Sequence, residues 1–265
     1  MKERIGITGS HGFVGERLIS YAEQTNKEYI RLGRDSNVPE DIGLVFDLAA
    51  YGNRYDHTDS KEIEKANVNR VVDLLKAVQP DTTVVLVSSS SVLLPTQTDY
   101  SRTKAQMEEL ASIWVDQTRN PVIIARPSTI TGVGDSETRL IPKLIDAAFT
   151  GRTLDFVSEP THDYLDVSDF ISAMFMLSER VKTYKGQVFN VSFGKSLSNH
   201  QVKLVVEDVT GRKVNTKEVN TLRIYDTKHW DVPNNKLRML GWTPRKTLFD
   251  SVREMVEDYK QKHGA

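Results

Sequence analysis

The chain has no cysteine, which excludes disulfides and thiolate chemistry and is compatible with a reducing compartment. It has little net charge, −1 from 35 basic and 36 acidic residues, so no broad field draws it to nucleic acid or to an anionic membrane. No apolar run is long enough to span a bilayer. The first 20 residues carry glycines and charges and lack the apolar core of a signal peptide, which makes the cytoplasm the default expectation. Internal repeats and low-complexity tracts are absent. The six histidines show no ligand spacing such as H-x-x-x-H, so no metal is expected. What is present is a chain of 265 residues with 38% hydrophobic content, enough for one large soluble domain or a domain with a lobe.

The first half alternates between two periods. Ile5–Thr8, Glu28–Leu32, Leu44–Ala49, Thr83–Val87 and Val122–Ala125 read as strands. Phe13–Glu23, Ser60–Val78 and Asp99–Val115 read as helices; Ser60 supplies a cap and Ile63, Val68, Val71, Val72, Leu75 and Val78 an apolar stripe. Strands separated by helices imply a parallel sheet covered on both faces, and right-handed crossovers make it an α/β, doubly wound, Rossmann-type fold. From about Thr131 the pattern loosens. Ile141–Phe149, Val167–Val181, His200–Thr210 and Leu248–His263 read as helices and Gln187–Val191 as a strand, broken by turn signals at Gly151, Pro160, Gly194 and Pro244. Residues 1–136, with 164–192 returning to them, are expected to form a dinucleotide-binding domain, and 137–163 with 193–265 a smaller substrate-binding lobe.

Two local patterns carry chemistry. In "ITGSHGFVGERL" glycines at 9, 12 and 15 join the first strand to the first helix. Gly9 permits a tight turn, Gly12 lets the backbone approach a pyrophosphate, and Gly15 allows close helix–sheet packing. The alternative, an ordinary glycine-rich turn, lacks a reason for the strand before it and the helix after it. In "DYSRTK" Tyr100 and Lys104 stand one helical turn apart. A free phenol, with a pKa near ~10, exchanges protons poorly at neutral pH. A neighbouring ammonium stabilises the phenolate and makes tyrosine a general acid or base. The preceding "VVLVSSSSV" puts four hydroxyls at the carboxyl end of a strand, where open α/β sheets place their sites. One of those serines is expected to hydrogen-bond the reacting oxygen, the others to satisfy strand-end backbone groups.

The spacing G-x-x-G-x-x-G after threonine resembles the short-chain dehydrogenase/reductase superfamily. "DLAAYG" (Asp47–Gly52) resembles its strand-end motif beside the cofactor, where many members have histidine in place of Asp47. "NVNRVVDLLKA", "IARPSTITGVGD", "HDYLDVSDF", "GQVFNVS" and "NNKLRMLGWTPRKTLFDSVREMVEDY" follow in the order of the extended branch: nucleotide-sugar epimerases, 4,6-dehydratases and 4-keto reductases. The resemblance implies catalytic roles for Ser89, Tyr100 and Lys104. It places Gly9, Gly12, Phe13, Val14, Gly15, Arg34, Leu48, Ala49, Ala50, Tyr100 and Lys104 on the cofactor, and Ser90, Arg126 and His162 near the substrate. Ser89 is selected by aligning Val92 with the family's valine, with Ser90 the fallback. The chain departs from the family by a short stretch between Gly15 and "DLAA", implying a missing strand–helix unit near the adenine. It also has Thr131 in the usual tyrosine position and His162 in place of the usual arginine, and "SVLLP" lacks the tyrosine and glycine of "VYG".

In "YIRLGRD" Gly33 falls where a carboxylate normally binds the adenosine ribose and favours NAD. A small residue with Arg34 after it and Arg31 before it suits a 2′-phosphate, so NADP is expected, with NAD as the alternative. If that reading fails, the two arginines are solvated surface charges. Other candidates have two readings each. His162–Asp163 is a substrate contact or a salt-linked turn, and Arg126 a substrate contact or a structural partner. Asn67 is expected to tie helix to strand, and Trp114, Trp230 and Trp242 to pack. The expected activity is NADP-dependent hydride transfer to a keto group of a nucleotide-activated sugar, with Tyr100 as the acid. The rivals are an epimerase or dehydratase that recycles its dinucleotide, a reductase of small ketones, or a non-enzymatic dinucleotide-binding regulator. Family habit implies a small-molecule partner and a homodimer.

Overall fold

The structure, a computed structural model, describes residues 4–33, 37–53, 57–222 and 226–264. Strand β1 (Arg4–Thr8), with Ile5 and Ile7 buried, lies inside a six-stranded sheet and has a paired strand on each side. The chain continues through α1 (Phe13–Gln24), β2 (Tyr29–Leu32), β3 (Ile42–Asp47), α2 (Ser60–Glu64), a π-helical turn (Lys65–Asn69), α3 (Arg70–Ala77) and β4 (Thr83–Val87). A 3₁₀ turn (Ser90–Leu93), α4 (Asp99–Thr118) and β5 (Val122–Pro127) follow. The sheet is completed by β9 (Val188–Val191), entered from helix α6 (Val167–Tyr184) after the strands β6 (Thr129–Thr131), β7 (Leu154–Phe156) and β8 (Thr161–Asp166) and helix α5 (Leu140–Thr150). Its order is β2-β1-β3-β4-β5-β9. The pairs of β1 with β2 and β3, of β3 with β4 and of β4 with β5 are all parallel.

Alternation along the strands fills both faces of this sheet. Val45, Val84, Leu86, Val122 and Ile124 join Val71, Leu74 and Leu75 of α3 and Met107, Ala111 and Val115 of α4 in one buried cluster. The residues between them turn the other way. Phe46 packs edge-on against Phe175 of α6, with ring centroids 5.0 Å apart, and Phe175 in turn meets Tyr21 of α1 at 5.0 Å. The doubly wound α/β arrangement follows from that two-sided burial. The sheet ends at β2, and no strand flanks it among the described residues.

The chain divides into two compact units, Met1–Pro127 with Ile171–Asn190, and Ser128–Phe170 with Val191–Ala265. The second unit holds β6, β7 and β8, then β10 (Ser196–Ser198), α7 (Asn199–Thr210), β11 (Thr216–Glu218), α8 (Asn235–Met239) and α9 (Leu248–His263). Its sheet runs β10-β8-β6, and β7 pairs with β11. Its core joins Ile141, Leu144 and Ile145 of α5 with Val202 and Val206 of α7 and Val252, Met255 and Val256 of α9. Reciprocal capping boxes, Ser198 with Gln201 and Thr247 with Asp250, start α7 and α9. Asp163 is buried on β8, where its carboxylate accepts the backbone N–H groups of Phe193 (2.9 Å) and Gly194 (2.8 Å). His162 and Asp163 thus lie within a strand and not at a salt-linked turn, and Asp163 is held by backbone amides of a distant segment.

Three local expectations are corrected. The strand expected over Leu44–Ala49 stops at Asp47, because Leu48 and Ala49 turn their N–H groups to the Thr8 hydroxyl, 3.1 Å each. The helix expected over 60–78 is broken by the π turn at 65–69. Its cap is Asp59, which accepts from Lys61 and Glu62 N–H, while Ser60 donates to Asp99 across to α4 (2.5 Å). The short strands β6, β7, β8, β10 and β11 carry no period long enough to read in advance.

Leu75 lies in the α3–sheet cluster at 2% exposure. Leu75→Ala is expected to cost about 2–5 kcal/mol, read from urea unfolding. Burial pushes the Asp163 carboxyl up to about 6, against the pull of the two amides and Ser128. Between its ordinary value of 3.8 and about 6 the native state holds this proton more tightly than the unfolded chain, so its contribution to stability falls as pH rises through that window. The stability difference between the native protein and Asp163→Asn, measured at pH values across the window, is expected to shift against the native protein as pH rises.

Candidate active site

The site is built at the carboxyl ends of β1, β3 and β4. From β1 the chain turns to β2 on one side, and from β2 it crosses to β3 on the other, so the switch point of the sheet lies between β1 and β3. Gly9 there has φ +62°, and a Cβ on it would stand 2.7 Å from Ala49 N and 2.8 Å from the Leu48 carbonyl carbon. A Cβ on Gly15 would stand 2.4 Å from the Gly9 carbonyl oxygen. Gly15 therefore lets α1 close on its own entry loop, a tighter contact than the helix–sheet packing expected of it. Gly12 is the N-cap of α1 and supplies no side-chain cap, while its N–H is spent on Gly9 O (3.0 Å). The first turn, Phe13, Val14 and Gly15, thus presents helix N-terminal amides beside a backbone-only floor, a cradle that suits a dinucleotide pyrophosphate.

Arg31, at the end of β2, reaches this loop. Its guanidinium donates to Ser10 O (3.0 Å) and to both oxygens of Glu16 (2.9 and 3.2 Å), and lies 3.3 Å from the His11 ring. The hydrogen bonds from Arg31 hold the Glu16 carboxyl below its ordinary value. Arg31 is therefore an exposed arginine tied to the glycine loop by these bonds. Arg34 lies outside the described residues.

The catalytic candidates meet in the first unit. Tyr100 and Lys104 sit in the first turns of α4, which Thr98 caps by accepting from Ser101 N–H at 3.2 Å. Lys104 is buried at 2% exposure; its ammonium donates to Val87 O, 2.7 Å, at the end of β4, and lies 6.0 Å from the centroid of the half-buried Tyr100 ring. Burial pushes the Lys104 ammonium down to about 8; Asp47 and Glu108 support the charge and Arg70 opposes it. The four serines of "SSSS" separate by their partners. Ser88 is buried and donates to Glu108, which also receives both arms of the Arg126 guanidinium. Ser89 caps the 3₁₀ turn, accepting from Ser91 N–H at 3.1 Å, with the two hydroxyl oxygens 2.9 Å apart. Ser90 is buried at the start of that turn. Arg126 is thus the partner of Glu108. In the second unit, His162 lies on β8, its ring 5.0 Å from Trp230 and 5.9 Å from Tyr164.

Two charged residues of this site escaped the sequence. Arg70 forms a two-armed ion pair with Asp47 (2.7 and 2.9 Å) and donates to Ala49 O (3.0 Å). Burial raises the Asp47 carboxyl, and the Arg70 charge and bonds, the Thr8 hydroxyl and Lys104 more than reverse it, leaving it below its ordinary value. Glu108 is the second. The available signals were a cation three residues after Asn67 and a carboxylate one further turn along from Tyr100 and Lys104. Asn67 itself, on the π turn, grips Tyr51 through both backbone groups (3.0 and 2.7 Å) and donates to Thr103 (3.0 Å), joining the β3 exit to the Tyr–Lys helix.

Residues 5–192 match the profile of the NAD dependent epimerase/dehydratase family. Over 179 residues the chain is 28% identical to an Arabidopsis thaliana protein named trifunctional UDP-glucose 4,6-dehydratase/UDP-4-keto-6-deoxy-D-glucose 3,5-epimerase/UDP-4-keto-L-rhamnose-reductase, a match covering 65% of this chain and 26% of that one. The chain thus spans about a quarter of that relative's length. Among solved structures it is similar to MoeE5 in complex with UDP-glucuronic acid and NAD (TM-score 0.85, 23% identity, 98% of this chain and 99% of that one). It is also similar to RMD from Pseudomonas aeruginosa complexed with NADPH (TM-score 0.82, 21% identity, 98% and 99%). With the profile matched over most of its length and the glycine loop, serine and Tyr–Lys pair in their order, the chain belongs to the NAD-dependent epimerase/dehydratase family of extended short-chain dehydrogenases/reductases.

Proposed function

We propose that the protein is an NADP(H)-dependent reductase of a keto group on a nucleotide-activated sugar. The observation that carries this reading is the pairing of Tyr100 with a buried, carbonyl-anchored Lys104 at the carboxyl edge of the sheet. Glycines 9, 12 and 15 and the amides of Phe13 and Val14 would hold the pyrophosphate, with the Leu48–Ala50 segment alongside. Gly33 in place of a carboxylate, with Arg31 at the rim of the glycine loop, supports the phosphorylated dinucleotide. Solved neighbours of the same fold carry NAD in one case and NADPH in the other. The relative's printed name includes a UDP-4-keto-sugar reductase, and MoeE5 was solved with a UDP-sugar acid. Those names support a nucleotide sugar as the substrate class.

When bound, NADPH supplies the hydride that reduces the carbonyl carbon. The chain's own residues manage the proton. Tyr100 donates its phenolic proton to the carbonyl oxygen, which becomes the hydroxyl of the product alcohol. Lys104, positively charged at neutral pH, lowers the cost of the resulting phenolate. Ser89, half-buried and, like Ser91, not committed to Glu108, orients the carbonyl; its place in the family's motif order favours it over Ser91.

A panel of nucleoside-diphosphate 4-keto-6-deoxy sugars with NADPH and NADH, followed by nicotinamide absorbance, is expected to show oxidation of NADPH with at least one sugar. Tight co-purifying NAD with no turnover of NADPH by any of them would replace this reading by an epimerase. Tyr100→Phe is expected to lower kcat by about 10²–10⁴-fold with little change in KM. Because Lys104 must stay protonated, kcat is expected to fall as pH rises through about 8. Gly15→Ala, which sets a methyl against Gly9 O, is expected to abolish dinucleotide binding measured by calorimetry.

A further inference from the structure

We propose that the Asp47–Arg70 ion pair is the positioning device of Lys104: it fixes the β3 exit beside the carbonyl that anchors the ammonium and sets the balance of charge that the ammonium meets. That Lys104 serves the reaction rests on the function proposed above; that its charge is governed by this pair does not.

The placement follows from register. Asp47 is the last residue of β3 and stands opposite Leu86 of β4, next to Val87, whose carbonyl oxygen receives the Lys104 ammonium. Asp47 is buried at 1% exposure, and each of its oxygens takes one arm of Arg70; the Thr8 hydroxyl donates to the first at 2.5 Å. The remaining reach of Arg70 goes to Ala49 O (3.0 Å), and its Nε donates to Ala66 O (3.0 Å) in the preceding turn. Three residues earlier Asn67 holds Tyr51 and then Thr103, the neighbour of Lys104. The helical stretch over 60–77 thus grips the β3 exit at two points, residues 49 and 51, and reaches α4 at two, through Asn67 to Thr103 and Ser60 to Asp99. The π turn over 65–69 carries one gripping residue, Asn67, and ends just before the other, Arg70. Such turns shift the register of a helix face and recur at functional sites.

The charged groups facing Lys104 can be named. β3 contributes Asp47, α3 contributes Arg70, and α4 contributes Glu108 with Tyr100; Glu108 is itself paired with Arg126 of β5. On α2 and the π turn, Lys61, Glu62, Glu64 and Lys65 are exposed to solvent. The ammonium therefore sits with two carboxylates in its favour, each neutralised by its own arginine, and Arg70 opposes it directly. Removing either member of the near pair should move Lys104, in opposite directions.

The test is a titration of the cofactor-free protein, labelled with ¹³C and ¹⁵N in lysine and followed by side-chain NMR. Lys104→Met assigns the signal. The native midpoint is expected near 8. Asp47→Asn is expected to lower it by about one pH unit and Arg70→Met to raise it by a similar amount. The double variant is expected between the two, and Arg70→Lys close to native. Should Asp47→Asn fail to fold, because it leaves a buried guanidinium unpaired, the order of Arg70→Met, the double variant and Arg70→Lys decides. Midpoints that coincide in all variants, or that move the same way in Asp47→Asn and Arg70→Met, would overturn the proposal. Because no substrate or dinucleotide enters this titration, a failed assay of the reductase leaves its answer standing.

Discussion

An ammonium held out of water at the end of a parallel sheet constrains everything around it. Stripping the hydration from such an ion costs several kcal/mol even after the protein relaxes, and one carbonyl bond, from Lys104 to Val87, does not offset that. Carboxylates must stand near, and a carboxylate in the same dry region needs a cation of its own. The result is an alternating set: Arg70 with Asp47 on one side of Lys104, and Arg126 with Glu108 on the other. Tyr100, Lys104 and Glu108 lie at successive turns of α4, so one helix face carries the proposed proton donor, the ammonium beside it and a carboxylate that supports the ammonium.

The backbone is shaped by the same constraint. β3 ends at Asp47 because its next two amides are taken by Thr8 from the neighbouring strand, which brings the exit segment across the top of β1. Only glycine can occupy position 9 beneath that segment. The glycine loop and the charged site are consequently joined: Leu48 and Ala49, which follow Asp47 directly in the chain, form the wall against which Gly9 turns.

How much of this was legible depended on whether the cause was local. The six-stranded α/β sheet was readable because each strand and helix carries its own period, and the two-sided burial of residues such as Val45 and Phe46 makes a continuous apolar run diagnostic. Gly9, Ser89, Tyr100 and Lys104 were readable as spacing. Arg70 and Glu108 were not, since a charge inside an amphipathic helix is ordinarily a solvated face, and only their distant partners, Asp47 for Arg70 and Ser88 with Arg126 for Glu108, turn these two inward. The π turn was invisible because its cause is the double grip of Asn67 on Tyr51, 16 residues away. The second unit was read least well: its strands of three residues are held by side chains such as Asp163 reaching 30 positions along the chain.

The Asp47–Arg70 pair is poorly explained as a stabilising element. Buried ion pairs are commonly no better for stability than apolar residues of similar volume, and they are costly to break by halves. Nor does its helix require it: Arg70 opens α3, whose packing face is already supplied by Val71, Leu74 and Leu75. What the pair does that an apolar couple could not is hold a negative charge beside Lys104 while limiting its strength. An unopposed Asp47 would hold the ammonium more firmly, and an absent one would let burial discharge it. The two-armed geometry, with Thr8 on one oxygen and Ala49 on the guanidinium, locks that intermediate setting into the backbone at the same point where the sheet opens.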